Sequence, residues 1–198
     1  MKKDPINVFG DWALSGRDEE MVKGHANSVK AMLDLVITDQ KKFSFLDVGC
    51  GNGWVVRKLV NHPKCLYAAG VDGSEHMIAK AQSVDKSGNY FCQDIRQWNP
   101  SKTFDIVHSM EVFYYVEKPD LLIRNIFDSW LHPGGKLIMG IDFYYENKSC
   151  HSWQEDCGVT IMQLFPKNTW IDYFKKAGFK NISSDHIGAN GDWKGTLV

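Results

Sequence analysis

Five short apolar runs rich in β-branched and aromatic residues recur through the middle of the chain: "FSFLDVG", "CLYAAGVD", "NYFCQDI", "FDIVHSM" and "GKLIMGID". Runs this short and this continuously apolar read as parallel strands buried on both faces. Helical patterns lie between them. Residues 54–61 carry Val55, Val56, Leu59 and Val60 and stop before Pro63; residues 74–83 open on a serine of the N-cap type; residues 120–131 repeat apolar side chains at Leu122, Ile126 and Trp130 and at Ile123, Phe127 and Leu131 before "HPGG". Strand and helix in alternation leave few folds open. They imply right-handed crossovers and an open sheet with helices on both faces, whose ligands sit at the carboxyl ends of the strands.

The flanks add a cap and a tail. Residues 15–36 read as one helix with a stripe of Val22, His25, Val29, Met32, Leu33 and Val36. After the last strand, "NTWIDYFKKAGF" reads as a helix stopped by Gly178, followed by two strand-like runs over residues 182–187 and 193–198. Lys plus Arg number 23 against 24 Asp plus Glu, so no net field draws in nucleic acid or an anionic membrane surface. No stretch approaches the roughly 20 apolar residues of a membrane span. Five cysteines without a C-x-x-C pair signal neither a disulfide framework nor a zinc knuckle. A soluble protein of the reducing cytoplasm, with no resident metal, is expected.

The first strand runs into "GCGNGW", a G-x-G-x-G turn. A dinucleotide fingerprint would place a third glycine where Trp54 stands, and a phosphate loop would supply a Lys that residues 45–56 lack. A carboxylate is present instead: Asp47 closes the strand, Asp72 closes the next, and Asp94 closes the third. Acids at successive strand ends repel a pyrophosphate and attract a ligand carrying ammonium and sulfonium charge. Opposite charges about 4 Å apart gain roughly 4 kcal/mol at an effective dielectric near 20, and like charges lose as much.

Taken in order, "LDVGCGNG", "VDGSEHMIAKA", "CQDI", "FDIVHSMEVFYYV" and "LHPGGKLIMGID" resemble the motifs of class I S-adenosylmethionine-dependent methyltransferases. The resemblance implies a three-layer Rossmann-like fold, a mostly parallel seven-stranded sheet with helices on both faces and the last strand antiparallel. It implies one domain, divided into a helical cap (1–40), a cofactor-binding core (43–142), a substrate lid (143–167) and a C-terminal helix with strands (168–198). It also implies S-adenosylmethionine as cofactor and S-adenosylhomocysteine as product. Carried across by motif, Asp47, Gly49, Cys50, Gly51 and Gly53 would run under the methionine part; Asp72 would hold the ribose; Gly73 and Met77 would flank the adenine. Asp94 and Ile95 would recognise the adenine edge, and Ser109 and Met110 would lie beside the sulfonium.

Methyl transfer from a sulfonium is an in-line displacement that gains rate from alignment and exclusion of water, so it needs no fixed catalytic motif. The acceptor groups are therefore sought on the cleft walls. The expected catalytic candidates are Glu111, Tyr115 and His151, and the expected substrate contacts are Trp12, Arg17, His25, Tyr114, Tyr144, Tyr145 and Trp153. The absence of an [ND]-P-P-[YF] motif after the fourth strand, where "HSME" stands, argues against base methylation. The expected reaction is methylation of a small molecule at oxygen or nitrogen. Two alternatives stay open: an aminopropyl transferase recruiting Glu146, Glu155 and Asp156 for a polyamine, and a non-catalytic cofactor-binding partner protein.

Overall fold

The computed structural model describes residues 1–37 and 41–198; residues 38–40, the end of the expected cap, lie outside the described residues. The five apolar runs form β1 (Phe43–Val48), β2 (Cys65–Asp72), β3 (Asn89–Cys92), β4 (Phe104–Met110) and β5 (Leu131–Gly140). They pair in the order β3-β2-β1-β4-β5, and every pair is parallel. The chain winds outward from β1 to β3, then returns to the other side of β1 to begin β4. That reversal opens a crevice at the carboxyl ends of β1 and β4.

Strand side chains alternate between two cores. Leu46, Val48, Val107 and Met139 join one with Ile123, Ile126, Trp130 and Trp170, whereas Phe45, Ala68, Ile106 and Ile138 join the other with Val29, Met32, Val56, Leu59, Ile78 and Ala81. The helices supplying them are α2 (Arg17–Val36), α3 (Trp54–Val60), α4 (Glu75–Val84), α5 (Pro119–Asn125) with the turn 126–130 that follows it, and α7 (Lys167–Ala177). Ser74 caps α4, its Oγ accepting from Met77 N, and Gly178 ends α7 with φ +106°. Among the described residues no helix is long and apolar enough to cross a membrane.

Three expectations are corrected. Among the described residues the sheet has five strands, not seven. The two C-terminal runs shrink to β6 (His186–Ile187) and β7 (Thr196–Leu197), an antiparallel pair of their own that touches the main sheet through one Ile141–Leu197 bridge. The reason is local: Gly188, Gly191 and Gly195 all take positive φ, so the segment between them turns where strands would have to extend. Secondly, the described part of the cap carries a further helix ahead of the expected one. Asp4 accepts from Ile6 N and Pro5 occupies the first turn, starting α1 (Pro5–Ser15), and Gly16 at φ +79° separates it from α2. Thirdly, the helix expected over 120–131 ends at Asn125 and passes into a π-helical turn, Ile126–Trp130. "HPGG" then bulges out of β5, which pairs Leu131 with Phe104 and next Lys136 with Ile106. The expected lid segment carries a 3-10 turn at Lys148–Cys150 and the short α6 (Trp153–Cys157) ahead of α7.

Candidate functional site

The turn after β1 is held by backbone that only glycine adopts cheaply: Gly49, Gly51 and Gly53 have φ of +72°, +52° and +77°. A Cβ on Gly49 would stand 2.1 Å from Val112 Cγ2, and one on Gly53 would stand 2.5 Å from the Tyr90 ring, so two of the three also lack room. At Gly51 the nearest atom would be Met77 Sδ at 3.9 Å, an ordinary van der Waals contact, so that stretch of backbone is not crowded. Asp72 at the end of β2 organises the turn. Its Oδ2 accepts from Gly51 N at 2.9 Å and its Oδ1 from Ser74 N at 2.8 Å. Burial pushes the Asp72 carboxyl above its ordinary range despite those two donors.

The strand-end acids do gather here, but they are not bare. Asp47 meets His108 Nδ1 at 2.7 Å, and Asp94 takes Arg96 Nε at 2.8 Å and Nη2 at 2.6 Å. The Arg96 guanidinium holds the Asp94 carboxyl below its usual value. Asn52 brings in a fourth acid: its Nδ2 donates at 2.7 Å to the buried Asp18 of α2, whose other oxygen takes Lys80 Nζ at 2.8 Å. Arg57, just past the segment without basic residues, donates to the Asn52 carbonyl at 2.5 Å. The cap is thus tied to the glycine turn through Asp18.

Turn and cap enclose one cavity of about 1190 Å³, counting its open mouth. Of the expected cofactor residues, Asp47, Gly49, Cys50, Gly51, Asp72, Gly73, Met77, Asp94, Ile95 and Met110 line it. Gly53 lies behind the turn against Tyr90, and Ser109 is buried with its hydroxyl donating to Val48 O at 2.9 Å. Of the expected acceptor residues, Trp12, His25, Glu111 and Tyr115 line the same cavity. Phe9 of α1 bridges two of them, its ring 4.9 Å from Trp12 and 5.0 Å from Tyr115.

The rest lie elsewhere. Tyr144 is buried and donates to Gly195 O, Tyr145 is exposed beside His151, and His151 Nε2 sits 2.9 Å from Tyr145 O. Trp153 stacks on Trp193, and Arg17 lies over the Trp12 ring at 4.0 Å. The acids considered for a polyamine are engaged on the surface: Glu146 by Lys167 N, Glu155 by Lys2, and Asp156 by Ser152 Oγ.

Glu111 is held in a backbone conformation that residues other than glycine rarely adopt. It takes φ +62° just beyond β4 and is 9% exposed. Tyr114 Oη donates to its Oε2 at 2.5 Å, and Asp142 N donates to its Oε1. Burial and the neighbouring Asp142 carboxylate push its carboxyl well up. His25 Nε2 lies 3.6 Å from Asp142 Oδ2. Burial likewise raises the Tyr115 phenol.

Sequence reasoning missed Ile6, Phe9, Asp18, Asn52, His108 and Asp142. The first two had a signal: Asp4-Pro5 is a helix start, and the helix it opens carries both over the site. Ile6 packs where a Cβ on Gly73 would stand, 2.6 Å from its Cδ1. His108 read as part of an apolar strand and carries no local mark of its partner, 61 residues away.

The family model described as "Methyltransferase domain" matches residues 19–184. The ubiquinone biosynthesis O-methyltransferase of Coxiella burnetii is 39% identical over 129 residues, 63% of this chain and 53% of that protein. The malonyl-[acyl-carrier protein] O-methyltransferase of Halalkalibacterium halodurans is 33% identical over 148 residues, 69% of this chain and 52% of that protein. The chain spans about half the length of the curated relatives it matches. Among solved structures, a putative methyltransferase in complex with the Trm112 methyltransferase activator of Haloferax volcanii superposes with a TM-score of 0.84 at 24% identity, covering 100% of this chain and 96% of that one. The N-methyltransferase NodS of Bradyrhizobium japonicum, in complex with S-adenosylhomocysteine, gives a TM-score of 0.64 at 21% identity, covering 85% and 81%. The chain belongs to the methyltransferase-domain family and shares the fold of S-adenosylmethionine-dependent methyltransferases of known structure.

Proposed function

We propose that this chain is a class I S-adenosylmethionine-dependent methyltransferase that moves the cofactor's methyl group to an oxygen or nitrogen of a small acceptor held beneath the N-terminal cap. The observation that carries the reading is the shared cavity: the bare glycine turn and strand-end acids form one end, and Phe9, Trp12, His25, Glu111 and Tyr115 form the other. The residues present fit the cofactor. Gly51 lines the cavity and a Cβ there would meet nothing nearer than Met77 Sδ at 3.9 Å, so the backbone is clear for a ligand, and His108 Nε2 is buried beside the cavity without a hydrogen-bond partner among the described residues.

In this proposal Asp72, with lone pairs remaining after its two backbone donors, takes the ribose hydroxyls. Asp94 and Ile95 take the adenine edge, Met77 its face, and the backbone from Gly49 to Gly51 runs under the methionine part. The bound sulfonium supplies an activated methyl group. The chain's own contribution is alignment and dryness: the Phe9, Trp12 and Tyr115 rings wall the acceptor end and exclude water. Tyr115 acts there as a neutral hydrogen-bonding phenol, since burial disfavours its anion. Five free thiols are consistent with a reducing cytoplasm as the proposed setting.

The test is product analysis. Incubation of the chain with methyl-deuterated S-adenosylmethionine and a panel of small phenols, carboxylates and amines, read by mass spectrometry, is expected to give a labelled O- or N-methyl product. An aminopropylated product from decarboxylated cofactor, with no methyl transfer, would overturn the reading.

A further inference from the structure

We propose that His25, Glu111 and Asp142 form a divalent-cation site at the acceptor end of the cavity. His25 comes from α2, Glu111 follows β4 and Asp142 follows β5, so three separate elements converge on one point. One ligand atom from each lies within 4.8 Å of the other two, a spacing that modest side-chain rotation closes around an ion. The second observation concerns Asp142. It is 5% exposed, its Oδ1 has no hydrogen-bond partner among the described residues, and its Oδ2 is 3.6 Å from His25 Nε2, beyond hydrogen-bond length.

Glu111 is engaged on both oxygens, by Tyr114 Oη and Asp142 N, yet each oxygen keeps a lone pair. Two carboxylates thus face each other out of water, and among the described residues neither forms an ion pair with Lys or Arg. Burying charge without a counter-charge is costly, and a dication satisfies both carboxylates at once. The donor set of one imidazole nitrogen and carboxylate oxygens suits a first-row ion such as Mn²⁺ better than Ca²⁺, which wants six or more oxygens. His25 and Glu111 line the cavity and Asp142 stands behind them, so the ion's remaining positions face the space assigned to the acceptor. An acceptor offering oxygen ligands would then be held by the ion as well as by the aromatic wall.

The location rests on the proposed function only for its meaning; the binding itself does not. Untagged chain, without cofactor, is titrated with MnCl₂ while the electron paramagnetic resonance signal of free Mn²⁺ is followed. One Mn²⁺ per chain is expected to bind. Asp142→Asn and Glu111→Gln, which keep side-chain size, are expected to weaken it by about tenfold or more, and His25→Gln is expected to do likewise with the fold confirmed by circular dichroism. A folded wild-type chain that leaves the signal unchanged at millimolar protein, or folded variants that bind as wild type does, would overturn the site. A chain that binds Mn²⁺ but transfers no methyl group would refute the function and leave the site standing.

Discussion

Gly49 and Gly16 share a left-handed backbone and differ in their surroundings, which separates two reasons for glycine. A Cβ at Gly16 meets nothing within 4 Å, whereas at Gly49 it overlaps Val112. Gly16→Ala is therefore expected to cost about 1 kcal/mol, the conformational penalty alone. Gly49→Ala should cost about 2 to 4 kcal/mol, because overpacking adds to that penalty. Urea denaturation of both variants checks the difference; equal losses would mean that Val112 yields freely. Legibility at this scale followed the same line. Gly49 and Asp72 were readable because a glycine turn after an apolar run, with an acid at the next strand end, is a local pattern. Asp142 and His108 were not, because their roles depend on partners that only the sheet register brings close, as Asp47 beside His108 shows.

At the level of elements, the cap is latched to the glycine turn by the Asp18 to Asn52 and Asp18 to Lys80 contacts. Asp18→Ala leaves the buried Asn52 amide without its acceptor, and a buried polar group stripped of its partner costs about 1 to 3 kcal/mol. Hydrogen exchange is expected to quicken in α1 and the first turns of α2 while β1 and β4 stay protected; unchanged exchange in the cap would show that apolar packing alone holds it. Helical periodicity revealed α2 and α4 well, since both bury one clean stripe. It did not reveal that the cap and not the lid walls the cavity. Aromatic density in residues 142–158 reads as a substrate lid, yet Tyr144 is spent on the core and Trp153 on Trp193.

For the whole molecule, the alternation of strand and helix set the fold class, and the crevice where the strand order reverses set the place of the cavity. Strand number was less readable, because a terminal hairpin rich in glycine has pattern but little regular extension. These scales meet in one expected property: a glycine turn organised by Asp72, closed over by the cap, is expected to bind a sulfonium nucleoside. Isothermal titration calorimetry with S-adenosylmethionine and S-adenosylhomocysteine tests it most directly. The account predicts one site per chain for both ligands, weakened by about tenfold or more in Asp72→Ala through loss of the ribose and turn contacts. A folded wild-type chain that binds neither ligand at millimolar concentration would contradict it.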